Sequence, residues 1–107
     1  MISTHILDTS CGEPASGVKV KLEIKSSDTW KVIATDKTNS DGRIKFDFAA
    51  QAGDFKLTFE TQDYFSKKQI PSFFNNTEVC FKISDSKRNY HVPLLLNPFG
   101  YSTYRGS

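Results

Sequence analysis

The sequence predicts an all-β fold, an antiparallel sandwich of short strands. Three observations point there. Apolar residues recur at every second position along most of the chain, the period of a strand with one dry face and one wet face. Clusters of Gly, Pro, Asn, Asp and Ser interrupt the pattern at short intervals. Nine Phe in 107 residues supply the bulk that a small two-layer core needs.

The elements follow in order. Ile2 to Leu7 opens as a strand and gives way to the turn Gly12-Glu13-Pro14. Val18, Val20, Leu22 and Ile24 then alternate with Lys19, Lys21, Glu23 and Lys25. Past Ser26-Ser27-Asp28, Trp30, Val32 and Ala34 form a weaker inward set. After Asn39-Ser40-Asp41-Gly42, Ile44, Phe46 and Phe48 alternate with Arg43, Lys45 and Asp47. Ala52-Gly53-Asp54 leads into Phe55, Leu57 and Phe59. Gln62 to Gln69 lacks alternation and runs up to Pro71, so a short helix is predicted there. Val79, Phe81 and Ile83 make the next strand, with Cys80 and Lys82 between them. Tyr90 to Leu96 and Tyr101 to Arg105 close the chain on either side of Asn97-Pro98-Phe99-Gly100. That makes about eight strands at sandwich spacing, with no internal repeat.

The chain reads as one domain over residues 1–107. A domain of this size has no room for a deep internal cleft, so a pocket belongs on a face or between subunits. Formal net charge is +2 and the fourteen Lys and Arg are scattered, which argues against nucleic acid as a partner. No stretch approaches the roughly twenty apolar residues of a membrane span. Met1-Ile2-Ser3-Thr4-His5 does not resemble a secretory signal, so the expected location is cytoplasmic, or periplasmic if an export signal was removed. Cys11 and Cys80 form no Cys-x-x-Cys pair and are expected to be buried free thiols.

Strand parity locates the chemistry. With Ile2, Thr4 and Ile6 inward, Ser3, His5 and Leu7 face outward. The same logic turns Arg43 outward beside Ile44, and His91, Pro93 and Leu95 outward beside Val92 and Leu94. Both histidines and Arg43 therefore leave the core side of their strands. A sheet that unites these strands gathers them on one surface. Leu7 and Leu95 on that surface suggest that a partner covers it. Asp8 falls opposite His5 and reads as a turn residue. Asn39, Asp41 and Gly42 faintly resemble a calcium loop, but Lys37 and Phe48 stand where acids are required. The closing Tyr101-Ser102-Thr103-Tyr104-Arg105-Gly106-Ser107 concentrates groups able to hydrogen-bond a planar polar ligand.

Two segments carry a resemblance to a known family. Thr4-His5-Ile6-Leu7-Asp8 with Gly12-Glu13-Pro14-Ala15 looks like an N-terminal signature of the transthyretin-related family. Tyr90-His91-Val92-Pro93-Leu94-Leu95-Leu96, followed by Pro98-Phe99-Gly100 and Tyr101 to Ser107, looks like its C-terminal signature. The ending Tyr-Arg-Gly-Ser resembles the branch that hydrolyses 5-hydroxyisourate rather than the hormone carriers. The resemblance implies a transthyretin-like (prealbumin-like) sandwich of two four-stranded sheets with one short helix. It implies a homotetramer, a dimer of dimers, with active sites at the subunit interface. It carries a catalytic role onto His5, Arg43, His91 and Ser107, and substrate binding onto Tyr104, Arg105 and Gly106. The implied reaction is hydrolytic opening of a cyclic ureide in urate breakdown, with no cofactor and no metal. A histidine titrates close enough to neutrality to serve as base or acid. An arginine suits a developing oxyanion.

Overall fold

The computed structural model describes residues 1–48 and 51–107. Along the chain run β1 (Ile2–Asp8), β2 (Glu13–Pro14), β3 (Lys19–Ser26), β4 (Thr29–Lys37), β5 (Arg43–Phe46), β6 (Gly53–Phe59), α1 (Thr61–Lys67), β7 (Thr77–Ile83), β8 (Tyr90–Asn97) and β9 (Gly100–Thr103). One sheet has the order β4-β3-β6-β7, antiparallel throughout. The other has the order β2-β1-β8-β9, with β5 also on β1. β5 pairs with Ile2 to His5 and β2 with Leu7 and Asp8, so the two short strands divide one side of β1 between them. This sheet has five strands but is four positions wide, which reconciles it with the expected two four-stranded layers. β1 and β8 run parallel at its centre, a departure from the antiparallel pairing expected throughout.

The alternation produces the sandwich. Burial along β1 switches at every residue from Ile2 to Asp8. Ile2, Ile6, Ile44 and Leu94 from one sheet meet Val20, Leu22, Phe55 and Leu57 from the other, all of them buried. Phe55 and Phe59 are fully buried, and each contributes about 2–3 kcal/mol by leaving water. The helix spans Thr61–Lys67 and buries Thr61, Tyr64 and Phe65. Asp63 and Lys67 form an ion pair of 3.0 Å on its wet side. It stops where Gln69 takes a positive φ of 59°, two residues short of the predicted end.

Four expectations need correction. Cys11 and Cys80 are exposed, not buried. Cys80 alternates with inward Val79 on β7, and Cys11 lies in the tight turn after β1, so backbone direction outweighs the small apolar gain of a thiol. Val32 is 49% exposed. A bulge opposite Leu22 and Glu23 inserts Ile33 as an extra residue, and Ile33 and Ala34 pack on the core instead. β5 ends at Phe46 rather than Phe48. Asp8 is the last residue of β1 and is buried, not part of a turn. Its Oδ2 accepts a hydrogen bond of 2.7 Å from Tyr64 Oη, and its Oδ1 accepts from the Ser10 amide and hydroxyl. Burial alone would raise its pKa, but these hydrogen bonds and the nearby Lys68 ammonium outweigh it and hold the carboxyl below its usual value. The pairing fastens α1 to the end of β1.

Candidate active site

Register brings the polar residues together. β1 pairs with β5 on one side and β8 on the other, so its outward residues become the middle of rows that cross the sheet. Ser3 is opposite Lys45 on β5 and His91 on β8, and His91 is opposite Gly106 in the tail. His5 is opposite Arg43 on β5 and Pro93 on β8. Partners in a row stand about 4.8 Å apart, and successive rows on one face about 7 Å apart. His5, Arg43 and His91 thus share one face, as parity predicted, at neighbouring grid points.

Local structure fixes each of them. Arg43 begins β5 directly after a turn that Asn39 builds. Asn39 Oδ1 accepts hydrogen bonds from the amides of Asp41 and Arg43, at 2.9 and 3.0 Å. Gly42 takes a φ of 73°, and a Cβ there would stand 2.6 Å from the carbonyl oxygen of Ile6. That carbonyl faces the turn because the Ile6 amide donates to the Gly42 carbonyl at 2.8 Å. The glycine is required for both reasons. His91 is half-buried and held at two edges. Its Nδ1 lies 2.8 Å from Ser3 Oγ, and Gly106 packs on the Cδ2 edge. The Gly106 amide donates to the His91 carbonyl at 2.8 Å.

The tail extends the pairing of β9. Leu94 opposes Thr103 and His91 opposes Gly106, three steps on each strand, so the register is kept without a bulge. Tyr104 lies past the end of β9 and lines the same crevice as Arg105. That crevice has a volume of about 190 Å³ and is also lined by Val79, Phe81, Lys82, Tyr90 and Val92. Ser107 follows the last paired residue, so strand alternation does not set its side. It borders a depression of about 300 Å³ with Ser3, Arg43, Lys45 and His91. His5 stands in the next row, outside that lining. The structure therefore gathers His5, Arg43, His91, Gly106 and Ser107, and turns Tyr104 and Arg105 toward the gap between the sheets. Leu7 is half-buried and Leu95 is 36% exposed, both on this outward face.

Electrostatics sharpen the picture. Burial pushes the His91 pKa below its ordinary 6.5, and the cationic Arg43 and then His5 push it the same way. The ring is therefore neutral at neutral pH, with a nitrogen free to accept a proton. Beside it stands a fixed cation. Among the described residues, no group of three or more His, Cys, Asp or Glu is placed to hold a metal ion. Sequence reasoning missed Ser3 and Lys45 as members of the site. Both have the right parity, but neither could be matched to His91 without knowing that β1 and β8 are parallel neighbours.

A sandwich with a basic, imidazole-bearing face at the sheet centre belongs to the transthyretin-like class. The match is specific. The chain belongs to the HIUase/Transthyretin family, whose model covers residues 2–106. It is 47% identical over 110 residues to the 5-hydroxyisourate hydrolase of Salmonella dublin, covering 100% of this chain and 81% of that protein. It is 38% identical to the 5-hydroxyisourate hydrolase of Mus musculus, over 99% of this chain and 94% of that one. Among solved structures, the 5-hydroxyisourate hydrolase of Klebsiella pneumoniae superposes with a TM-score of 0.88 at 42% identity, over 99% of this chain and 98% of that one. Sea bream transthyretin in complex with thyroxine superposes with a TM-score of 0.91 at 32% identity, over 98% and 93%.

Proposed function

We propose that this protein hydrolyses 5-hydroxyisourate on the His5–Arg43–His91 face, opening the six-membered ring to 2-oxo-4-hydroxy-4-carboxy-5-ureidoimidazoline. The carrying observation is a neutral imidazole and a guanidinium held on adjacent rows of one sheet face. His91 and His5 share the proton work. One takes a proton from water as its oxygen adds to the ring carbonyl, and the other delivers a proton to the nitrogen as the carbon–nitrogen bond breaks. Arg43 polarises that carbonyl and holds the negative charge that develops on its oxygen. Ser107 borders the depression and Gly106 lets the backbone approach, which supports substrate binding by the tail. Tyr104 and Arg105 line the other crevice and enter the binding set through the likeness of the terminal motif alone.

The depression is too open to exclude water by itself. We infer a homotetramer, a dimer of dimers, in which a second copy closes each site. Half-open Leu7 and Leu95 beside the polar groups support a covered surface. Closure would also strengthen the field of Arg43 by lowering the local dielectric.

The test generates hydroxyisourate with urate oxidase and follows its ultraviolet absorbance with and without this protein. Decay faster than the spontaneous rate supports a hydrolase. Decay at the spontaneous rate overturns it and leaves a carrier. Arg43→Glu is expected to lower turnover by at least about 100-fold while the exposed position leaves folding intact. A variant with near-parental activity would remove Arg43 from the oxyanion role.

A further inference from the structure

We propose that Ser3 is a positioning residue that holds His91 in its Nδ1–H tautomer, so that the Nε2 lone pair faces the depression. This assignment rests on the hydrolytic function proposed above. The geometry is specific. Ser3 Oγ lies 2.8 Å from His91 Nδ1 across the parallel β1–β8 pairing, and the two residues are register partners 88 positions apart in sequence. Gly106 packs against Cδ2 on another edge of the ring. With Nδ1 and Cδ2 occupied, Nε2 is the polar atom left for the depression that His91 lines. Among the described residues, Nε2 has no hydrogen-bond partner within the chain.

A serine hydroxyl can donate or accept, so the distance alone does not choose the tautomer. The surroundings choose it. The depression is also lined by Arg43 and Lys45 of β5, and His5 of β1 stands in the next row. Positive charge facing the free edge favours a lone pair there over an N–H. The remaining proton then belongs on Nδ1, where Ser3 accepts it. Imidazoles without such an anchor favour the opposite tautomer in water, with the proton on Nε2. In that form the nitrogen facing the reacting water could not take its proton. Orienting partners of this kind decide which ring nitrogen works.

The chain contains two histidines, so nitrogen NMR of labelled protein resolves both rings. Above the titration range, His91 is expected to show a protonated Nδ1 and a bare Nε2. Ser3→Ala should shift the ring toward Nε2–H and lower kcat by about tenfold, the ratio one neutral hydrogen bond supports, with KM little changed. Ser3→Thr keeps the hydroxyl on a strand position that threonine suits, and should restore both the spectrum and kcat. A parental His91 ring already protonated on Nε2 overturns the proposal. So does a Ser3→Ala variant with unchanged tautomer and unchanged kcat. If the parental protein shows the Nδ1–H ring but no turnover, the hydrolase function fails while the hold of Ser3 on the ring stands.

Discussion

Gly106→Ala separates a site residue from a merely permissive one. A Cβ at Gly106 would lie 2.6 Å from His91 Cδ2, 3.3 Å from Cγ and 3.4 Å from Cβ. Carbon atoms settle at about 3.5–4.0 Å, so ring and tail must part by about 1 Å. Neither is free to move. The tail is tied by the 2.8 Å bond from the Gly106 amide to the His91 carbonyl, and the ring by its 2.8 Å contact with Ser3 Oγ. The backbone of Gly106 lies outside the left-handed region, so the cost is steric and not conformational. Losing one such hydrogen bond with some overpacking costs about 1–2 kcal/mol, a drop in Tm of roughly 4–16 °C for a domain of this size. A 1 Å displacement of a catalytic group costs about 100-fold in rate. The assay pairs hydroxyisourate turnover with thermal unfolding, measured well below Tm. The expected outcome is a large loss of kcat in protein that is still folded. Parental turnover together with an unshifted His91 ring spectrum would refute the claim that the tail backbone fixes the imidazole.

Two further outcomes follow from the titrating groups. Burial, Arg43 and His5 disfavour the His91 imidazolium, so the folded protein binds fewer protons there than the unfolded chain. The acid limb of kcat/KM should therefore have its midpoint below 6.5, and unfolding free energy should fall as pH drops below 6.5 toward the folded pKa; a midpoint above 6.5 would contradict the assignment. Asp8 has the same sign in a lower pH window. Its carboxyl titrates below 3.8 in the folded state, so its contribution is present above that value and is lost as pH falls through the folded pKa. Asp8→Ala strands the Tyr64 hydroxyl and should cost about 2–3 kcal/mol in urea unfolding; a cost near zero would mean the helix does not depend on that tie.

Much of this was legible because period two is a strong signal. Parity alone put His5, Arg43 and His91 on the non-core side, and the burial of their strands agrees. Distance along the chain was the obstacle for Ser3 and Lys45. Their neighbours are decided by which strands pair, and a local pattern carries no information about a partner 88 residues away. Arg105 shows another limit. Its motif suggested a role beside Gly106 and Ser107, yet Arg105, with Tyr104, lines the crevice between the sheets while Ser107 borders the outward depression. Val32 failed because a bulge resets parity midway through β4, and one inserted residue leaves no clear mark in composition. Cys11 and Cys80 failed because residue-type averages were applied where the strand direction and the turn decide exposure. Asp8 misled because an acid at a strand end looks like a turn former until its tyrosine partner on α1 is known.

The central β1–β8 pairing also sets a timetable for biosynthesis. Ser3 leaves the ribosome 88 residues ahead of His91, a lag of roughly 4–18 s at ordinary elongation rates of about 5–20 residues per second. β2 and β5 are made sooner, but throughout that interval the first strand lacks β8, and the edge that β8 will cover is open to unwanted pairing with other nascent chains. Residues from both extremes of the polypeptide must interlock before this face is complete. The face that carries both imidazoles is thus assembled only when synthesis is all but finished.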